Sequence, residues 1–194
     1  MGEVGTFVRG NGLQKKDFTT EGIGCIHYGQ IYTHYKTSAT ETITYCSKEL
    51  AKKLRKAEHG DVVIATTSEN VEDVCKAMAW MGRDSVAVSG DAYIFKHNQN
   101  PKYIAYIFQT AKFFDYKKRK ANGTKVIRLS GDAIGKFEVP IPPIEEQNRI
   151  VAILDRFEAL TTSLQDGLPA EIAARRQQYD YYRDKLLDFK RKTA

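Results

Sequence analysis

The sequence predicts a mixed α/β (α+β) fold, with one globule over residues 1–143 and a long helical, coiled-coil-like region over residues 144–194. Two observations lead to this fold class. Before Pro143, short runs rich in β-branched and aromatic residues are separated by glycine, which is typical of strands and turns. After Pro143, strand signals stop and apolar residues recur at helical spacing.

The beginning of the chain is predicted to be mostly sheet. Strand-like runs occupy residues 4–9, 25–35 and 42–46. Ser47 is suited to cap a short helix over residues 48–56. The apolar run at residues 61–67 predicts a buried strand that leads into a polar loop.

The middle of the chain alternates helical and strand signals. Residues 71–78 show helical spacing of apolar side chains, and two strands, 85–89 and 92–96, are predicted to turn at Gly90 and Asp91. Asn100 and Pro101 predict the start of a helix that runs from Lys102 to about Tyr116. The globule is completed by strand-like residues 125–129, a turn capped by Ser130, and strand-like residues 137–141.

The region after Pro143 is predicted to form two helices with a break near residues 166–169. The heptad frame slips by one residue there, where Gly167 and Pro169 disfavour a continuous helix. The apolar stripe of the second helix either packs on the chain's own globule or pairs with another helix, and its narrowness favours the second interpretation. The pairing seam is predicted at Ile172, Tyr179, Tyr182, Leu186 and Phe189.

Composition excludes several classes of protein. With 42% hydrophobic and 28% charged residues, the chain is able to bury a core and is unlike a disordered polymer. No apolar run approaches the length of a membrane span, and the N-terminus does not resemble a secretion signal, so we expect a cytoplasmic protein. Three cysteines, Cys25, Cys46 and Cys75, fit neither a disulfide framework nor a metal motif, and we expect reduced thiols.

The positive charge is confined to the globule. Residues 1–140 contain 21 Lys and Arg against 15 Asp and Glu, whereas residues 141–194 contain nine of each. This asymmetry indicates that the globule meets an anionic partner and the helices meet protein. Nucleic acid is the leading candidate, because basic clusters lie among polar side chains that donate hydrogen bonds. The alternative is a solvated face, since a net charge of +6 is only mildly basic.

The motifs of several enzyme classes are absent from the sequence. There is no phosphate-binding glycine loop, no nucleophile elbow, and no glycine-rich cofactor loop ahead of the Asn100–Tyr103 stretch. The four histidines are scattered and none has a metal-type spacing to Cys, Asp or Glu. We therefore expect neither a catalytic site nor a metal site, and no cofactor bound by this chain.

Several segments, taken in order, resemble one family. They are GTFVRGNGLQKKDF, IHYGQIYTHY, GDVVIATTSENVEDVCKAMAW, VAVSGDAYIF, GTKVIRLSGDAIGKFEVPIPPIEEQNRIVAILDRF and LPAEIAARRQQYDYYRDKLLDF. Together they span nearly the whole chain and resemble the DNA specificity subunit of type I restriction-modification systems. The first segments resemble a target recognition domain, and the last two resemble the passage into the family's long helix and the distal end of that helix.

The resemblance implies a non-catalytic subunit that binds double-stranded DNA and docks methyltransferase subunits, which bind S-adenosylmethionine and methylate adenine. A restriction or translocase subunit is a further possible partner. Family members usually carry two domain-and-helix units, whereas this chain has one, so it is either a half-length subunit or half of a longer protein. A half-length subunit implies a homodimer, paired through the C-terminal helices, that reads a bipartite palindromic site in the cytoplasm of a prokaryote.

Candidate DNA contacts fall in four segments, each with an ordinary structural alternative. Those expected to donate to phosphates or base edges are Lys15, Lys16, Gln30, Tyr32, Thr33, Thr66, Thr67, Ser68, Lys117, Lys118, Arg119, Lys120, Thr124 and Lys125. The alternatives are strand ends, turn formation and a solvated helix terminus.

Two competing hypotheses make different predictions. A stand-alone methyltransferase or nuclease would transfer methyl groups to DNA or cleave it when S-adenosylmethionine and Mg²⁺ are supplied. A protein-interaction scaffold, or a fragment that does not bind DNA on its own, would associate with DNA weakly and with little dependence on salt. If the helices pair, Tyr182→Asp buries an unpaired charge and should dissociate a dimer.

Overall fold

The computed structural model describes residues 1–123, 125–163 and 169–188. The predicted sites at Thr124 and Phe189, and the side chain of Ile172, lie outside the described part. In the part described, no helix is long and apolar enough to cross a membrane.

Strands and short helices make up the described chain to residue 135, and two long helices follow. Eleven strands occur in the described chain: β1 Gly5–Arg9, β2 Ile23–Ile26, β3 Ser38–Ala39, β4 Thr44–Cys46, β5 Lys56–Ala57, β6 Val62–Ala65, β7 Thr67–Ser68, β8 Ala77–Trp80, β9 Val86–Val88, β10 Ala92–His97 and β11 Ile127–Arg128. The described α-helices are α1 Tyr28–Thr33, α2 Lys48–Ala51, α3 Pro101–Ile107, α4 Ala111–Lys120, α5 Gly131–Gly135, α6 Ile144–Ser163 and α7 Pro169–Leu187. One turn of 3-10 helix covers Lys15–Asp17.

Three sheets form the globule. The largest has the order β1-β10-β6-β8-β3, and all its neighbours are antiparallel except β3 and β8. The second has the order β4-β2-β9-β5, in which β2 and β9 run parallel. The short pair β11-β7 forms the third. Because β9 and β10 belong to different sheets, the turn at Gly90 and Asp91 links the two larger sheets.

Strand β6 shows how the core is divided. Val62 and Ile64 face a cluster that also contains buried residues of α3 and α6, whereas Val63 and Ala65 face the second sheet. Successive side chains of a strand point to opposite faces, so a continuous apolar run indicates a strand covered on both sides. The prediction of a buried strand at this position is confirmed, because all four residues are buried.

The two long helices pack on the globule and on each other. The amide of the fully buried Gln147 accepts a hydrogen bond from Asn100 N at 3.0 Å and donates to Pro142 O at 2.8 Å, which fixes the start of α6. Farther along, Lys102 pairs with Asp155 at 2.8 Å. Helix α7 returns to the globule, since Leu187 is buried in the same core as α3.

Several predicted caps are observed. Ser47, Asn100 and Ser130 each accept a hydrogen bond from the backbone N–H three residues later, at 3.2, 3.1 and 3.2 Å. Helix α6 ends at Ser163 and α7 begins at Pro169, so the two predicted helices are present. The break itself falls largely on residues 164–168, which lie outside the described part.

Other predicted elements are wrong. Residues 28–33 form helix α1 because His27 caps it and Gln30 completes a capping box. Residues 71–75 form turns, because two buried strands flank them. The single helix predicted over residues 102–116 is divided in two, since Thr110 accepts from Phe113 N at 3.2 Å and starts α4. No strand forms at residues 137–141.

Candidate nucleic-acid interface

Five strand ends meet at one end of the two larger sheets. Strand β10 begins between the last residues of β1 and β6. Arg9, the last residue of β1, pairs with Tyr93, and Ala65, the last residue of β6, pairs with Ala92. The parallel strands β2 and β9 finish together at Ile26 and Val88. The loops that follow these strands therefore lie side by side. We call this region the loop end; it comprises residues 9–16, 27–33, 66–70 and 89–91, together with Arg55 and Arg128.

Arg9 is held at the centre of the loop end. Its guanidinium Nε donates to Gly90 O at 2.7 Å, and its Nη2 lies 3.5 Å from the Asp91 carboxylate. The same carboxylate accepts from Thr67 Oγ1 at 3.3 Å. These contacts join the β1, β6 and β10 loops, while most of the Arg9 side chain remains exposed.

A second arginine is oriented by the loop that follows β1. The backbone N–H of Arg55 donates to Asn11 Oδ1 at 2.7 Å, and its guanidinium donates to Arg9 O at 2.7 Å. Asn11 also donates to Lys53 O at 3.0 Å. Gly12 has a φ of +65°, a conformation that glycine adopts readily. The sharp turn therefore places Arg9 and Arg55 next to each other.

Lys15 and Lys16 lie on the exposed one-turn 3-10 helix at the edge of the loop end. Gln14 N donates to the Asp17 carboxylate at 2.8 Å, which fixes that turn. Burial, followed by the positive charge of Lys15, lowers the pKa of His27, although the charge of Asp91 opposes this shift. Lys15 therefore acts electrostatically on the capping residue of α1.

Helix α1 presents aromatic side chains to the loop end. Tyr28 N donates to the buried Ser89 Oγ at 2.9 Å, and the rings of Tyr28 and Tyr32 lie 6.2 Å apart, both half-buried. The predicted strand position of Gln30, Tyr32 and Thr33 is wrong, since all three belong to this helix. Gln30 accepts from His27 N and donates to Thr44 Oγ1, so its amide is engaged within the protein.

The predicted polar loop at residues 66–68 is also wrong. Thr66, Thr67 and Ser68 are buried, and Thr67 and Ser68 form β7, paired with Arg128 and Ile127. Thr66 donates to Asp91 O at 3.1 Å, and Ser68 Oγ accepts weakly from Asn70 N at 3.4 Å. These hydroxyl groups position the loop end and are not exposed to a ligand.

The basic cluster at the end of α4 is divided. Lys117 is buried and donates to two backbone carbonyls, so the prediction that it belongs to an exposed basic loop is wrong. Lys118, Arg119, Lys120 and Lys125 are exposed. A hairpin follows α4, closed by the antiparallel bridge between Asn122 and Arg128, and it joins the loop end through β11, because Arg128 pairs with Thr67.

The amino-acid sequence matches the profile of one protein family. The profile of a family described as "Type I restriction modification DNA specificity domain" matches residues 1–174. The chain belongs to this family. The predicted resemblance is thereby confirmed, and the matched residues of this specificity domain include every described segment of the loop end.

Curated relatives carry the same family name. Over 88 residues, the specificity domain is 42% identical to a putative type I restriction enzyme specificity subunit of Haemophilus influenzae and 41% identical to the EcoR124I/EcoR124II specificity subunit of Escherichia coli. Each match covers 45% of this chain and 22% of the relative. The chain thus matches less than a quarter of either relative's length.

Solved structures share the fold. An HsdS subunit from Thermoanaerobacter tengcongensis superposes with a TM-score of 0.56 at 17% identity, over 96% of this chain and 43% of that chain. A type I restriction-modification S subunit from M. genitalium gives a TM-score of 0.56 at 12% identity, over 85% of this chain and 39% of the other. The mixed α/β fold is therefore that of known specificity subunits, and the chain covers less than half of each.

The predicted helix seam of the specificity domain packs largely on its own chain. Tyr179 and Leu186 pack against the main core, and the Tyr182 ring stacks on Phe157 at 5.7 Å. The preference for an intermolecular partner is therefore wrong for Tyr179 and Leu186, because α6 and the globule already cover them. Tyr181, one position away, has 60% of its surface exposed.

Sequence reasoning missed several residues of the specificity domain's loop end. Arg9, Tyr28, Arg55, Asp91 and Arg128 are far apart in the sequence and come together only through strand pairing. One local signal pointed to Arg9, because it ends a strand and precedes Gly10, Asn11 and Gly12. Arg55 and Arg128 carry no comparable signal.

Proposed function

We propose that this chain reads double-stranded DNA as one recognition unit of a type I restriction-modification specificity subunit, contacting one half-site of a bipartite target through the loop end. In this proposal, phosphates are neutralised by Lys15, Lys16, Arg9, Arg55 and Arg128, and base edges are read by Tyr28, Tyr32 and Thr33 on helix α1. The positive surface extends along the end of α4 and the neighbouring hairpin through Lys118, Arg119, Lys120 and Lys125.

The observation that carries the proposal is the exposure of cationic side chains that have no acidic partner. Among the described residues, Lys15, Lys16 and Arg128 form no ion pair, and Arg9 shares its charge only with Asp91. Such side chains release counterions from DNA when they neutralise phosphates, which is the main source of non-specific affinity. Family membership supplies the second line of support, because the matched family is a DNA specificity domain.

The proposal includes the partners that the family resemblance implies. The chain binds no cofactor and catalyses no reaction itself; it docks methyltransferase subunits that carry S-adenosylmethionine, and the complex also takes a restriction or translocase subunit. These assemblies form in the cytoplasm of a prokaryote. The charge-balanced helices α6 and α7 are the surface proposed for protein contacts, since the positive excess belongs to the globule.

Salt titration tests DNA binding directly. The chain should bind a random-sequence 30-base-pair duplex with an affinity that falls steeply between 50 and 200 mM salt, by about tenfold or more if three or more phosphates are contacted. Fluorescence anisotropy of a labelled duplex measures this dependence. A flat salt dependence would contradict the proposal and favour the protein-scaffold alternative.

We further propose that two copies pair through the outer face of α6 and α7. Tyr181 and Leu160 are exposed apolar side chains on these helices, and Tyr182 is partly exposed beside Tyr181. Tyr181→Asp should convert a dimer to a monomer in sedimentation velocity while leaving the fold intact. A wild-type chain that sediments as a monomer at micromolar concentration would contradict homodimer formation without bearing on DNA binding.

A further inference from the structure

Lys117 is a buried cation that the proposed DNA contacts do not use. Only 3% of its surface is exposed, although it lies on the same helix as the exposed Lys118. Its Nζ donates to Glu72 O and to Val74 O, both at 2.8 Å. The ammonium group also lies 5.3 Å from the centre of the Phe114 ring. Helix α4 therefore holds the backbone of residues 72–74 through one side chain.

The segment that Lys117 holds is tightly constrained. Cys75 has a φ of +62°, in the left-handed region that residues other than glycine rarely adopt. Its N–H donates to Ala65 O at 2.7 Å, so the segment returns to the strand from which it left. Within it, Asp73 N donates to Asn70 Oδ1 at 2.7 Å. Strained backbone of this kind persists only where the surroundings determine it.

The tip of the segment projects from the loop end. Glu69 and Asn70 are exposed, and the segment becomes buried at Ser68 before them and at Val74 after them. Burial is the main cause that raises the pKa of Tyr32 on helix α1, and Tyr28, Asp73 and Glu69 add to it. Because Asp73 N donates to Asn70, the position of the tip depends on how residues 72–75 are held.

We propose that Lys117 is a positioning residue for DNA recognition: by binding the carbonyls of Glu72 and Val74 it fixes residues 66–75 and sets where the exposed tip at Glu69 and Asn70 stands at the loop end. The DNA-facing part of this statement rests on the proposed function above; the anchoring part does not.

A lysine suits this position for a definite reason. No backbone N–H in the described chain is paired with the carbonyl of Glu72 or Val74, so loss of Lys117 Nζ removes the protein donor of both and leaves the buried Val74 carbonyl without a partner. A buried carbonyl without a partner is unfavourable. An apolar side chain of the same length would therefore fill the space but release the segment.

Two variants separate anchoring from phosphate contact. Lys117→Met keeps the length of the side chain and removes its donors; Lys118→Met removes an exposed charge from the next position and is the matched control. In hydrogen exchange of the free protein at pH 7, amides of residues 66–76 should exchange about tenfold faster in Lys117→Met. They should be unchanged in Lys118→Met. Unchanged exchange in Lys117→Met would overturn the proposal, whatever the protein does with DNA.

Binding to the random-sequence duplex supplies the second readout. The slope of log affinity against log salt should match that of the wild type in Lys117→Met, whereas it should fall by about 1 in Lys118→Met if Lys118 contacts a phosphate. Selection from a randomised duplex library should show weaker sequence enrichment for Lys117→Met. A reduced salt slope in Lys117→Met would place its charge on DNA and contradict a positioning role.

Wild-type protein provides the test if Lys117→Met fails to fold. Burial lowers the pKa of Lys117 to about 8, with Lys76 adding to the shift and Cys75, Asp73 and Glu72 opposing it. An open segment would restore an ordinary lysine pKa, so the closed segment binds fewer protons at Lys117 and should become more stable as pH rises from about 7.5 to about 8.5. The buried Cys75 thiol, whose pKa is raised to about 12, acts in the opposite direction only at higher pH, where an exposed thiol ionises. Exchange protection of residues 66–76, corrected for intrinsic rates, should rise over this range. Constant protection would overturn the proposal.

Discussion

The two ends of the larger sheets differ in how they treat positive charge. At the end opposite the loop end, Lys96 lies 3.0 Å from Asp61 and 3.2 Å from Glu58. These carboxylates raise the pKa of Lys96 even though its partial burial opposes the shift. At the loop end, Lys15 and Lys16 have no such partner among the described residues. Carboxylates thus neutralise the lysine at one end of the sheets, whereas the lysines at the loop end keep charges that an anionic ligand can contact.

The difference shows why net charge alone is a weak guide. A total of +6 is compatible with an ordinary solvated surface, as the sequence allows. The ordering of Arg9 and Arg55 by Asn11 and Gly90 concentrates charge at one end. Concentrated charge, and not the total, is what steers and binds a polyanion.

The largest expected effect comes from removing charge at the loop end. Replacing Lys15 and Lys16 together by Ala should weaken binding to a random-sequence duplex by about 100-fold near 0.1 M salt and reduce the salt slope by about 2, if each lysine contacts one phosphate. Lys136→Ala is the matched control, because Lys136 is exposed beside Phe137, whose carbonyl accepts from the N-terminus. Equal losses in both proteins, measured by anisotropy, would remove the distinction between the two ends.

A second prediction separates the helices from the loop end. Tyr106 is buried and its hydroxyl lies 2.8 Å from Asp155 and 3.0 Å from Glu158. Tyr106→Phe leaves these carboxylates without that donor and should lower the free energy of unfolding by about 1–3 kcal/mol. Urea denaturation measures the loss, with the exposed Tyr181→Phe as control. Duplex affinity should stay within about twofold of wild type; a larger change would mean that the helices contribute to DNA contact.

A third prediction uses one histidine at each end. Burial lowers the pKa of His27, assisted by Lys15, and burial lowers the pKa of His97 against the charge of Asp61. Because the unfolded chain takes up protons near pH 6.5 and these native histidines do not, the free energy of unfolding should fall as pH drops below about 6.5.

The two histidines can be distinguished by substitution. His27 Nδ1 accepts from Gly29 N at 3.3 Å as the cap of α1, and asparagine is also a good cap, so His27→Asn should keep stability within about 1 kcal/mol at pH 7. His27→Asn should also reduce the loss of unfolding free energy between pH 7 and pH 5. His97→Asn should reduce the part of that loss that His27→Asn leaves. Urea denaturation at pH 5, 6 and 7 tests this. An acid dependence unchanged in both variants would show that neither histidine is held neutral.

The smallest expected effect is a gain in duplex affinity when Asp91 loses its charge. Asp91 is the acidic partner of Arg9, and Asp91→Asn keeps an oxygen acceptor for Thr67 while removing the negative charge. Duplex affinity should rise about two- to fivefold, as expected when repulsion of phosphate by one partly exposed charge is removed. Glu58→Gln, at the opposite end, should leave affinity unchanged. A loss of affinity in Asp91→Asn would show that the Arg9 orientation matters more than the local charge.

Sequence patterns predicted the parts of the fold that depend on local chemistry. The buried strand β6, the caps at Ser47, Asn100 and Ser130, and two helices after Pro143 are all local signals, and all are observed. Residues 28–33 were misread because Tyr, Ile and Thr favour strands, whereas the capping box at His27 and Gln30 starts a helix.

The candidate site was less predictable, because it depends on contacts between distant residues. Lys117 and Lys118 are indistinguishable in sequence, yet one is buried on the carbonyls of residues 72 and 74 and the other is exposed. Likewise, Thr66 to Ser68 look like a polar loop until pairing with β11 buries them. No periodicity encodes such long-range pairing.

Hydrogen exchange with and without a random-sequence duplex tests the central claim most directly. If the loop end faces DNA, added protection should appear in residues 9–16 and 27–33, which contain the exposed Lys15 and Lys16 and the half-buried Tyr28 and Tyr32, and in the exposed residues 69–70. Residues 58–61 and 96–100, at the opposite end, should exchange at the same rate in both states. Protection confined to the opposite end or to α6 and α7 would contradict the account.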